Sequence, residues 1–170
     1  AIQNNHKKMV EINACAGNLL TNPVRTDLEE AINYIPVDFI VNVVLNEDKE
    51  IIKAVAGHYI EAHREGCSYL DQLYKVKINA KVDIVIASAG GFPKDINLYQ
   101  AQKTLDNASH AVKKGGIIIL VASCKEGFGE ATFEEWMINA KKPLELIDKI
   151  KTEFILGGQK AATIASVLQQ

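Results

Sequence analysis

Two β-branched runs, each closed by glycines, constrain this chain more than any other feature. "VDIVIASAGG" spans residues 82–91 and "IIILVASCKEGFG" spans 117–129. Between them Leu98, Ala101, Leu105, Ala108 and Val112 recur at steps of three and four, the period of a helix with one buried face. That helix is predicted over residues 97–114, with "KKGG" as its exit: cations in the last turn and glycine beyond. Strand, helix, strand in this order is a right-handed parallel unit. Near-continuous apolar runs of this kind predict strands buried on both faces.

The first half adds a different element. "DFIVNVVLN" and "EIIKAVAGH" read as strands joined by the turn "NEDK", an antiparallel hairpin. Helices are predicted for "RTDLEEAINYI", with Thr26 as N-cap and Glu29 completing a capping box, and for "HYIEAHREGCSYLDQL". Three more follow: "GEATFEEWM" with a Thr132–Glu135 box, "KKPLELIDKIKTEF" with Pro143 in its first turn, and "GGQKAATIASVLQQ". Residues 1–23 are polar and broken, a linker or surface arm; residues 24–170 read as one domain. The fold class is α/β: a mixed, mostly parallel sheet with flanking helices, three-layered, half of a Rossmann-like arrangement. A start at Ala1 and an end inside a helical pattern read as a domain fragment of a longer two-domain protein.

Composition excludes several function classes. The net charge of -2 lacks the basic surplus of a nucleic-acid binder. No apolar run approaches the roughly 20 residues of a membrane span. Cys15, Cys67 and Cys124 are odd in number and far apart, neither a disulfide framework nor a zinc site, so the expected compartment is the reducing cytoplasm. Cys67 and Cys124 are expected in or near the core, and Trp136 and Met137 in the core or at an interface. The four histidines are scattered and form no ligand pair, so no metal ligand and no catalytic residue is assigned within this chain.

In an open parallel sheet, ligands sit beyond the carboxyl ends of the strands. Here those ends are two glycine loops, and Gly90, Gly91, Gly127 and Gly129 are candidates for an anion-binding loop. Tight turns alone account for the same glycines. Neither loop is a GxGxxG or Walker sequence, which argues against a nucleotide-dependent oxidoreductase domain. The helix beyond Gly91 carries more. Asn97 can cap it, with Gln100 reaching back. Gln100 and Lys103 share a face away from the buried stripe, and Asn107 extends it. An amide and an ammonium one turn apart can take a carboxylate together, and Tyr99 beside them can stack on a flat ring or donate a hydrogen bond. A solvated helix face is the plainer alternative.

"GGFPKDINLYQAQKTLDNA" resembles the C-terminal domain of the nickel-pincer lactate racemase family. "GNLLTNPVRTDLEEA", "DFIVNVVLNEDKEIIKAVAGH", "VKKGGIIILVASCKEGFG" and "GGQKA" extend the resemblance over residues 13–168. It implies a parent that interconverts the stereoisomers of a 2-hydroxy acid by hydride abstraction and return at C2. It implies a pyridinium dithiocarboxylic acid mononucleotide carrying nickel, with acid and base histidines in an N-terminal domain. It also implies that Gln100 and Lys103, after Tyr99, contact the substrate and cofactor region as this domain closes the cleft. The family's tethering lysine, nickel-binding histidine and histidine-rich segment have no counterpart here. The chain alone is therefore expected to hold neither cofactor nor nickel and to be inactive. Its expected partners are a small 2-hydroxy acid and the missing N-terminal domain, with no nucleic acid and no membrane. The alternative is a non-catalytic ligand-binding or accessory homologue.

Overall fold

The computed structural model describes residues 2–169, which fall into two compact units. The first comprises residues 11–77. Its helix α2 (Pro23–Ile32) is capped by Asn22, whose side chain accepts from the N–H groups of Val24 and Arg25. Pro23 occupies the first turn, where its missing N–H costs nothing. The expected Thr26 cap is thus displaced: Thr26 lies inside the helix and donates to the Asn22 carbonyl at 3.2 Å. Glu29 forms no box and instead meets Arg25 at 2.8 Å and Arg64 at 3.5 Å. Strands β1 (Ile40–Leu45) and β2 (Ile51–Gly57) form the antiparallel hairpin, closed by an Asn46–Glu50 turn. Helix α3 (Tyr59–Tyr74) packs on both strands around buried Val44, Val55 and Ala62.

The second unit comprises residues 2–10 and the chain from Ile78 onward. Helix α1 (Ile2–Lys7) and a 3-10 turn (Lys8–Val10) belong to it, and His6 stacks on Phe154 at 5.6 Å. Strands β3 (Val82–Ser88) and β4 (Val112–Val121) pair in parallel. Between them lie two short helices, α4 (Leu98–Ala101) and α5 (Lys103–Ser109), separated at the buried Gln102. Helices α6 (Ala131–Asn139), α7 (Pro143–Thr152) and α8 (Gly158–Leu168) build the core around Phe133, Trp136, Leu146, Ile150 and Ala161, with Met137 packed against it.

Three expectations need correction. The single helix expected over 97–114 is two, broken at Gln102 and ending at Ser109, and "KKGG" is strand, not helix exit. Lys113 pairs with Asp83 of β3 at 2.9 Å. Val82 pairs with Val112 and Ile84 with Ile117, so four residues of β4 bulge past one of β3, with Gly115 at φ 74°. Second, α6 is capped by Glu130, whose carboxylate accepts from the Thr132 and Phe133 amides, so Thr132 is not the cap. Third, β3 and β4 are not buried on both faces. Val85, Ala87, Ile118 and Leu120 are half-buried on the side where α5 packs, whereas Ile84, Ile86, Ile117, Ile119 and Val121 are exposed. The unit places its helices over one side of this pair.

Candidate functional site

The two glycine loops lie side by side and are stitched together. Cys124 N–H donates to the Asp95 carbonyl at 2.9 Å and Glu126 N–H to the Ile96 carbonyl at 2.9 Å. In return, Leu98 N–H donates to Gly127 at 2.9 Å and Tyr99 N–H to Phe128 at 3.0 Å. Asn97 caps α4 as expected, accepting from Gln100 N–H at 3.0 Å. It also donates to Glu126 at 3.3 Å. Gly129 faces Asn97 so closely that a Cβ on it would overlap the asparagine side chain.

These bonds engage several of the amides that an anion could use. The first three amides of α4 are engaged, Gly127 N–H donates to Cys124 and Gly90 N–H to the Ser88 hydroxyl. A depression of about 330 Å³ beside the loops is lined by Phe92, Asp95, Ile96, Ser123, Lys125 and Glu126. Two carboxylates against one ammonium make it a poor place for a negative ligand.

The free donors lie one turn on. Lys103 Nζ donates to Gln100 Oε1 at 2.8 Å. The ammonium has only donors, so it meets the amide oxygen and leaves the Gln100 NH₂ group pointing elsewhere. Gln100 therefore does not reach back to complete a capping box. What results is an exposed ammonium held beside a half-buried amide donor. Asn107 is exposed further along α5. Tyr99 packs its ring edge-on against Phe133 at 5.6 Å, which fixes the start of the helix to the core.

Cys67 and Cys124 are half-buried, and all three cysteines are free. In the first unit the Cys67 sulfur lies 3.7 Å from both ring nitrogens of His63. Such a pair is a nucleophile only if thiolate and imidazolium are favoured. Here the reverse holds. Burial and the Arg25 charge push His63 below the usual histidine range, and burial pushes the Cys67 thiol up. Both shifts work against the thiolate–imidazolium form. Among the described residues no three His, Cys, Asp or Glu side chains converge as metal ligands, and no helix is long and apolar enough to cross a membrane.

The profile of the lactate racemase C-terminal domain matches residues 77–161, half of the chain and all of the stitched loops. The chain belongs to that family. Two relatives of this chain are named lactate racemases. That of Thermoanaerobacterium thermosaccharolyticum is 38% identical over 138 residues, 81% of this chain and 32% of the relative. That of Lactiplantibacillus plantarum is 38% identical over 136 residues, 80% of this chain and 32% of the relative. The structure of the lactate racemase apoprotein from T. thermosaccharolyticum matches with a TM-score of 0.89 at 34% identity, covering 98% of this chain and 41% of that one. The chain thus spans about a third of the length of these curated relatives. The α/β class expected from the sequence holds, with the strands in two two-stranded sheets, one antiparallel and one parallel, in place of a single mixed sheet.

Sequence reasoning missed Glu130 as a cap and the roles of "GGQKA". Glycine marks contact in that motif. A Cβ on Gly157 would overlap the Glu130 carboxylate, and one on Gly158 would lie 2.7 Å from the Trp136 ring. The signal was the glycine pair itself, but nothing local says what it touches.

Proposed function

We propose that this chain is the C-terminal, substrate-closing domain of a 2-hydroxy acid racemase, and that Gln100 and Lys103 take the substrate carboxylate. The observation that carries this reading is the 2.8 Å Lys103–Gln100 bond, inside the segment that matches the family. It holds a charge and a directed donor together across the short break between α4 and α5, as carboxylate binding requires. Tyr99 braces the start of α4. Gly90, Gly91, Gly127 and Gly129 shape the loops beside it, and the negative ligand goes to the lysine.

The reaction we assign to the parent is hydride abstraction and return at C2, dependent on a nickel-pincer nucleotide. The residues of this chain do not fit the metal, since no ligand set converges among those described. The family resemblance assigns cofactor, acid and base to an N-terminal domain, and no step of the chemistry is assigned to this chain beyond binding and enclosing the substrate. We place the protein in the cytoplasm, on its free cysteines.

The deciding experiment incubates the loaded parent with single enantiomers of lactate and other 2-hydroxy acids in D₂O. Inversion without deuterium at C2 supports hydride return, and inversion with deuterium means proton abstraction. No inversion of any substrate favours a non-catalytic binding module. Lys103→Ala in the parent is expected to lower kcat/KM by about 1.5–3 kcal/mol of lost charged contact. Unchanged kinetics would remove Lys103 from the site.

A further inference from the structure

Lys160 occupies a position that disfavours a cation. Its neighbours Gly157, Gly158, Gln159, Ala161 and Ala162 are all buried, and Lys160 alone in that run is half-buried. It sits in the first turn of α8, where the helix dipole repels positive charge. Helix α8 packs on α5, and Lys103 at the head of α5 adds a second repulsion. Burial and then Lys103 push the Lys160 ammonium below the usual lysine range, while Asp106 of α5 acts weakly the other way. Among the described residues Lys160 has no hydrogen-bond or ion-pair partner for its ammonium. The turn that carries it is held firmly by the Gly157 and Gly158 contacts and by Gln159 Oε1, which accepts from Gly157 N–H at 2.7 Å.

We propose that Lys160 is the second cation of the substrate site, so that the ammonium groups of α5 and α8 together take the carboxylate of a 2-hydroxy acid. This rests on the carboxylate reading of Lys103. An anion between the two lysines turns their mutual repulsion into two attractions and supplies the partner that Lys160 lacks. The protein keeps an unfavourable charge because its ligand cancels it. The motif "GGQKA" then has one purpose throughout: glycines for close packing, and a lysine presented from the rigid turn they make.

The test is an NMR titration of the 170-residue chain, lysine-labelled with ¹³C at Cε, with lactate through the high-millimolar range. Sodium chloride at matched ionic strength serves as the control. The Lys103 and Lys160 signals are expected to move on one saturating curve. Lys160→Met keeps the aliphatic stem and should weaken binding about tenfold, the size of one charged contact, while Lys160→Arg retains most of it. Lys160→Met should also melt at the same temperature or higher, since it removes a costly charge. A lower melt would make Lys160 structural and overturn the proposal. If Lys103 responds and Lys160 does not, Lys160 is out of the site and the Lys103 reading stands. If neither responds, or chloride does the same, both fall. The chirality assay tests the racemase reading separately.

Discussion

Gly91 and Gly129 look alike in sequence and differ in what they do. Both sit in glycine loops after apolar strands, and both have left-handed backbones, φ 77° and 85°. A Cβ on Gly91 would meet nothing within 4 Å, whereas one on Gly129 would overlap Asn97. One glycine answers to a backbone angle; the other answers to a neighbour. The comparison teaches that glycine patterns report constraint without its kind. Neither constraint by itself identifies a ligand.

Substitution can break this comparison. Gly129→Ala should cost about 3 kcal/mol in denaturant unfolding, from backbone strain of about 1–2 kcal/mol plus overpacking. Asn97→Ala should cost about 1–2 kcal/mol through loss of the cap and of the Glu126 bond. The double variant sharpens the point: removing the Asn97 side chain relieves the overlap, so the two losses should not add. Additive losses would show that the Gly129 constraint is only angular. Gly91→Ala should cost the least, about 1 kcal/mol, and should be indifferent to Asn97.

The sequence was most legible where the signal was local. Asn97 is a strong capping residue directly before a periodic run, and the spacing of Gln100 and Lys103 places them on one face whatever follows. "TNP" carried the Asn22–Pro23 start of α2 as clearly, but Thr26 and Glu29 offered a competing local pattern. Where partners are distant, the reading failed. "KKGG" has the composition of a helix exit, and only pairing with Asp83 and its strand makes it a bulged strand start. Glutamate is a weak capping prediction, and Glu130 takes the role with Gly157 packed on its carboxylate. The apolar strands misled for a related reason. Their composition records burial, but not which body supplies it, and the second unit covers one side alone.

The four loop-to-loop hydrogen bonds carry a kinetic consequence. Cys124, Glu126, Leu98 and Tyr99 donate across the seam from both sides, so neither loop can open without the other. Their amides should exchange with solvent at one common rate, slower than a four-residue helix such as α4 could sustain by itself. A segment that breathes as one piece cannot act as a flexible lid. On the proposed reading, a closing domain would carry the seam, and Lys103 behind it, as a rigid jaw.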